Sequence, residues 1–155
     1  MYEIAFVCHG NICRSPMAEY VMKDIVQKAG RAEEFFIASF AVSTEEIWGG
    51  CGNPVYPPVK NLLRKKGIDC TGKRATLLTE VDGEKYDYLL CMDDSNIRRA
   101  RAIVGAKNAG KCVKLLSFAG ESRDVADPWY TGDFQKTYDD VCKGVAAFMN
   151  FLDER

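Results

Sequence analysis

Cys8 and Arg14 bracket five residues near the amino terminus, in the run Cys8-His9-Gly10-Asn11-Ile12-Cys13-Arg14-Ser15-Pro16. As a thiolate, cysteine is a strong nucleophile, and both a neighbouring guanidinium and a helix amino end favour that form. Arginine adds a planar fork of donors matched to phosphate oxygens. A nucleophile and a phosphate cradle on one loop point to phosphoryl transfer through a cysteinyl-phosphate. Breaking a phosphate monoester also calls for a general acid to protonate the departing oxygen. Asp127, followed by Pro128, Trp129 and Tyr130, is the candidate. Asp-Pro alone is ordinary turn punctuation, whereas adjacent aromatics on a loop suggest a cleft wall able to stack on a phenyl ring. His9 beside the nucleophile reads as an exposed loop residue.

These residues need elements to hold them. Ile4-Ala5-Phe6-Val7 is apolar throughout and reads as a strand buried on both faces. Ser15-Pro16 is a helix-start signal, and Met17, Val21 and Ile25 continue a helical stripe that stops at Gly30. The loop therefore lies between a strand's carboxyl end and a helix's amino end, where free N–H groups and the macrodipole favour an anion. Phe35 to Ser39 reads as a second strand ending at Ser39, Tyr86 to Cys91 as a third and Val113 to Leu116 as a fourth. Pro58 to Lys66 is a helix stopped by Gly67, Asp94-Ser95 caps a helix through Val104, and Phe134 to Leu152 carries the last core-facing stripe. Strands alternating with helices predict a three-layer α/β/α arrangement around a four-stranded parallel sheet.

The chain has 155 residues, enough for one domain over 1–155, and no linker or repeat divides it. A formal charge of −1 gives no reason to expect nucleic acid or an anionic membrane as partner. No apolar run is long enough to span a bilayer, and the first residues lack the pattern of a signal peptide. Seven cysteines without framework spacing fit a reducing cytoplasm. With one histidine and no C-x-x-C pair, a metal site is not expected.

Cys8 to Pro16 resembles the phosphate-binding loop of the low-molecular-weight protein tyrosine phosphatases, second cysteine included. The similarity extends to Leu90-Cys91-Met92-Asp93-Asp94-Ser95-Asn96 and to Asp127-Pro128-Trp129-Tyr130, and so covers nearly the whole chain. It implies a flavodoxin-like fold of the phosphotyrosine phosphatase I type, with strand order 2-1-3-4. It further implies Cys8 as nucleophile, Arg14 and the loop residues His9, Gly10, Asn11, Ile12, Cys13 and Ser15 as phosphate-binding or loop-shaping, and Asp127 as general acid and base. Ser39, otherwise a turn residue, matches the serine that hydrogen-bonds the loop asparagine. Cys13, otherwise a small buried side chain, would form a reversible disulfide that shields Cys8. No cofactor is implied; the partners are a phosphotyrosine protein or peptide and the inorganic phosphate product, and a monomer or weak dimer is expected.

One stretch departs from the family. Residues 43–58 form a loop rich in glycine and proline, on which many members carry an aromatic wall of the substrate cleft. Glu45 stands at that place here, with Trp48 near enough to serve instead or simply to anchor the loop. Three rival readings remain. Arginine phosphatases of this fold carry threonine where this chain has Ile12, whose apolar side chain suits an aromatic ring. A thiol-dependent arsenate reductase would need two further cysteines close together on a mobile segment, and Cys91 and Cys112 do not provide them. A phosphate-binding module without catalysis would need neither Cys8 nor Asp127.

Overall fold

A computed structural model describes residues 1–155. In chain order the strands are β1 (Tyr2–Cys8), β2 (Phe35–Ala41), β3 (Ile47–Trp48), β4 (Cys51–Gly52), β5 (Tyr88–Cys91) and β6 (Cys112–Lys114). The α-helices are α1 (Arg14–Lys28), α2 (Pro57–Lys65), α3 (Glu80–Lys85), α4 (Asp94–Val104), α5 (Pro128–Thr131) and α6 (Phe134–Asp153). Four strands form a parallel sheet in the order β2-β1-β5-β6. This is the expected 2-1-3-4 order once β3 and β4, an antiparallel hairpin apart from the main sheet, are counted.

Central β1 explains the layering. Its alternate side chains serve two cores, because successive residues of a strand point to opposite faces. Ile4, Phe6 and Cys8 pack with Met17, Val21 and Met22 of α1 and Val141, Val145 and Phe148 of α6. Ala5 and Val7 pack on the other face with Leu89, Ala100 and Val104. The apolar run thus has both faces covered, and Cys8 belongs to the face occupied by α1.

Several boundaries differ from the sequence reading. β2 continues past Ser39 to Ala41, since Ser39 pairs with Phe6 inside the ladder and Ala41 with Cys8. The serine is a buried strand residue rather than a turn. The cap of α4 is Asp93, whose carboxylate accepts from the Asn96 N–H at 2.7 Å, so the Asp94-Ser95 assignment was one residue late. β5 begins at Tyr88, and β6 ends at Lys114, where Leu115–Ala119 tightens into a 3-10 turn. Short α3 carries a Thr79–Asp82 capping box, a local signal in the sequence that hydrophobic periodicity passes over. Gly52 lets the hairpin press on the chain at Ala75, where a Cβ would meet the carbonyl oxygen at 1.9 Å. No helix is long and apolar enough to cross a membrane.

Candidate active site

Cys8 ends β1 and Arg14 begins α1, so the five intervening residues turn at the carboxyl edge of the sheet. Ligands of open α/β sheets lie at this edge. The loop's carbonyls are consumed on its outer side. Val42 N–H donates to Cys8 O at 3.1 Å, Ser43 N–H to His9 O at 3.1 Å, and Tyr56 N–H to Ile12 O at 2.9 Å. The N–H groups of His9, Gly10, Ile12 and Cys13 make no hydrogen bond within the protein, and Asn11 N–H donates to Cys8 Sγ at 3.3 Å. All of these residues line one cleft of about 380 Å³. A row of unpaired donors around a sulfur is an anion cradle.

Asn11 is the only non-glycine residue with positive φ, at 61°. That left-handed conformation is tolerated by asparagine better than by most residues, and here three hydrogen bonds fix it. Thr76 N–H donates to Asn11 Oδ1 at 3.0 Å, which leaves Nδ2 to donate to Ser15 Oγ at 2.7 Å and to Ser39 Oγ at 2.9 Å. Ser39 in turn donates to the buried Glu19 carboxylate at 2.6 Å, because a carboxylate only accepts. The direction of the whole chain is therefore set by one backbone N–H and one carboxylate. Accepting from Asn11, the Ser15 hydroxyl keeps its own proton available for a thiolate at Cys8, whose Sγ is 2.9 Å away. Lys73 closes the network, donating to Ser39 O at 2.9 Å with its ammonium 3.6 Å from Glu19. Burial pulls the Lys73 ammonium below the ordinary lysine range despite Glu19.

Arg14 is buried beneath the cleft. Its Nη1 donates to Asp93 Oδ2 at 2.8 Å and to Val125 O at 3.1 Å, and Nη2 lies 3.5 Å from Asp127 Oδ2. Burial alone would weaken the cation, but Cys8, Asp93 and Asp127 outweigh it and hold the guanidinium above its usual range. Asp127 caps α5, accepting from Trp129 N–H at 3.0 Å through Oδ1. Burial first, then the charges of Cys8 and Asp127, push the Cys13 thiol up to about 12.

The cleft lining is mixed. It includes Trp129 and Tyr130; Trp129 is 60% exposed yet rests on Tyr56, ring centroids 5.0 Å apart. The lining also includes His9, Glu45 and Glu46. Trp48 does not line the cleft and is 73% exposed on the β3–β4 hairpin, which corrects its expected place as a wall. Glu45 does face the cleft, with its Oε2 2.9 Å from His9 Nε2. The structure brings together Cys8, His9, Gly10, Asn11, Ile12, Cys13, Arg14, Asp127, Trp129 and Tyr130 around the cleft, with Ser15 and Ser39 behind it.

A sequence profile of the low molecular weight phosphotyrosine protein phosphatases matches residues 3–155. The chain belongs to this family. Among relatives of the phosphatase, the Bacillus subtilis low molecular weight protein-tyrosine-phosphatase YfkJ is 37% identical over 138 residues, covering 88% of this chain and 86% of its own. The Staphylococcus aureus protein-tyrosine-phosphatase PtpA is 32% identical over 153 residues, covering 98% and 94%. The crystal structure of YfkJ superimposes with a TM-score of 0.91 over 99% of this chain and 96% of that one, at 33% identity. A structure of the arginine phosphatase YwlE is also similar, with a TM-score of 0.84 at 25% identity over 97% and 95% of the two chains.

Asp93, Glu19, Lys73 and Thr76 belong to the site and were not singled out from sequence. Asp93 carried a detectable signal, an N-cap position beside the Asp94-Ser95 pair. Glu19 lies on an apolar helix face, where a lone carboxylate is a flag in itself. Lys73 and Thr76 lie in an irregular stretch with no periodicity to place them.

Proposed function

We propose that this chain, as one catalytic domain over residues 1–155, hydrolyses phosphotyrosine monoesters in proteins or peptides through a phosphocysteine on Cys8. The observation that carries this reading is that Cys8, the unpaired N–H groups of its loop, Arg14 and Asp127 all line one cleft. The phosphate dianion enters this ring with its equatorial oxygens on the loop amides and the free edge of Arg14. The Cys8 thiolate attacks phosphorus, the P–O bond to the tyrosyl oxygen breaks, and Asp127 protonates that oxygen as it leaves. Asp127, now a carboxylate, takes a proton from water as the water attacks the phosphocysteine. Inorganic phosphate departs and Cys8 leaves as a thiolate, eased by the Ser15 hydroxyl. Arg14 and the amides meet the charge developing on the phosphoryl oxygens. Asn11 and Ser39 shape the loop, and Trp129 and Tyr130 flank the tyrosyl ring.

Cys13 has the part of resolving thiol. A peroxide, itself reduced as its O–O bond breaks, oxidises the Cys8 thiolate to a sulfenic acid; this condenses with the Cys13 thiol, water leaves, and the disulfide is later reduced by a thiol. The setting is the cytoplasm, with the protein a monomer or weak dimer.

Ile12 supports phosphotyrosine over phosphoarginine, because its apolar side chain offers a ring face nothing polar to oppose. Parallel assays on matched phosphotyrosine and phosphoarginine peptides test this. Phosphotyrosine turnover abolished by Cys8→Ser is the expected result; faster release from phosphoarginine would transfer the chain to the other activity.

A further inference from the structure

The cleft is lined by residues of contrasting chemistry, and nothing in phosphate transfer requires it. Besides Trp129 and Tyr130, the carboxylates of Glu45 and Glu46 line it. Glu45 is exposed and held by His9, while Glu46 sits in a tied segment. Ser43 N–H is tied to His9 O at 3.1 Å, and Asn53 N–H donates to Glu46 O at 2.8 Å. Asn53 Nδ2 also donates to Glu46 Oε1 at 3.2 Å, aligning the carboxylate, while the β3–β4 hairpin closes the segment behind it. The glycine at position 10 makes room for it, since a Cβ there would lie 3.1 Å from Glu46 Cγ. Glu45 has only His9 for a partner, and Glu46 forms no ion pair at all.

An electrostatic problem follows. A phosphate dianion must pass these two carboxylates to reach a loop whose own guanidinium, Arg14, is already shared with Asp93 and Asp127. Like charges at the rim of a site slow encounter, and opposite charges speed it. A substrate that carries its own positive charge beside the phosphotyrosine turns this repulsion into attraction. The tyrosyl ring would pack against the aromatic residues, and a neighbouring ammonium or guanidinium would reach the acidic ones.

We infer that Glu45 and Glu46 are specificity-determining residues that select phosphotyrosine flanked by lysine or arginine and reject acidic surroundings. The inference rests on the phosphotyrosine phosphatase reading above and adds the substrate class to it. Two rim carboxylates together give a preference of about tenfold at low salt.

The test uses three phosphotyrosine peptides, identical except for lysine, alanine or glutamate on both sides of the phosphotyrosine, with kcat/KM measured on the full chain. The expected order is lysine over alanine over glutamate, with a lysine-to-glutamate ratio of about ten that shrinks as salt is raised. In Glu45→Gln/Glu46→Gln the ratio falls toward one, and in Glu45→Lys/Glu46→Lys it inverts. A wild-type ratio near one, or a ratio the substitutions leave unmoved, overturns the inference while the phosphatase reading stands. Failure to hydrolyse any of the three peptides overturns that reading and this inference together.

Discussion

Ser15 Oγ lies 2.9 Å from Cys8 Sγ and accepts from Asn11 Nδ2, which leaves the hydroxyl proton available to a thiolate at Cys8. Such a donor serves the sulfur when it departs from phosphorus more than when it attacks. Ser15→Ala should therefore slow dephosphorylation of the enzyme by about 10²-fold, the usual cost of losing one aimed donor. Rapid-quench kinetics on an aryl phosphate should show a burst of phenol equal to the enzyme, followed by a slow steady state. A variant that is slow without a burst would place the effect on the first step.

Asp127→Asn keeps the cap on Trp129 N–H but removes the transferable proton. The rate on phenyl phosphate should fall by about 10²–10³-fold, and less on a nitrophenyl ester whose leaving group needs no acid. Equal losses on the two esters would count against proton transfer by this residue.

Ser39→Ala removes an acceptor from Asn11 and a donor from Glu19 in a buried network. Stability should drop by about 1–3 kcal/mol, read as a lower urea midpoint. Because Asn11 at φ 61° depends on this support, kcat should fall as well. A change in the midpoint with unaltered kcat would mean that Thr76 and Ser15 suffice to hold the loop.

Labelling with iodoacetate at neutral pH should separate the thiols near the cleft. Cys13, held up at about 12 by burial and the nearby negative charges, stays protonated and unmodified. Cys8 should be alkylated and protected by inorganic phosphate, whereas exposed Cys51 should be alkylated with or without it. Peptide mass spectrometry reads all three sites.

Asp140 on α6 accepts a two-pronged bond from Arg123 at 2.9 and 2.8 Å, tethering the segment that leads to Asp127. Burial of Asp140 opposes ionisation, but Arg123 and Lys136 prevail and hold its folded-state pKa below the ordinary aspartate range. The stabilisation is thus complete above that range and vanishes as pH falls through the depressed folded value. Asp140→Asn should cost about 1–2 kcal/mol at neutral pH, allowing for the exposure of Arg123. The difference in Tm from the wild type should narrow on acidification; a constant difference would locate the effect in packing.

The cysteine-to-arginine loop and the sheet are legible in the sequence because each is local. Cys8 to Pro16 is contiguous, and β1 is apolar on both faces, so spacing and periodicity are enough. Ser39 was misplaced at a strand end because Phe40 and Ala41 continue the ladder without any change in composition. Trp48 was assigned to the cleft on proximity along the chain alone. Its true exposure follows from a two-residue hairpin, shorter than any periodicity can register. Asp93 reaches Arg14 across 79 residues, and Thr76 reaches Asn11 across 65. Pairings of that kind arise only when the sheet brings distant loops to one edge.

Cys8 is the terminal residue of a strand hydrogen-bonded on both sides, by β2 and by β5. A hinge placed there has no freedom of its own, since releasing it means tearing the middle out of the sheet. Amide exchange at Phe6 and Val7 should accordingly follow the slowest, whole-molecule opening. In urea, catalytic competence and far-ultraviolet ellipticity should disappear along a single shared curve.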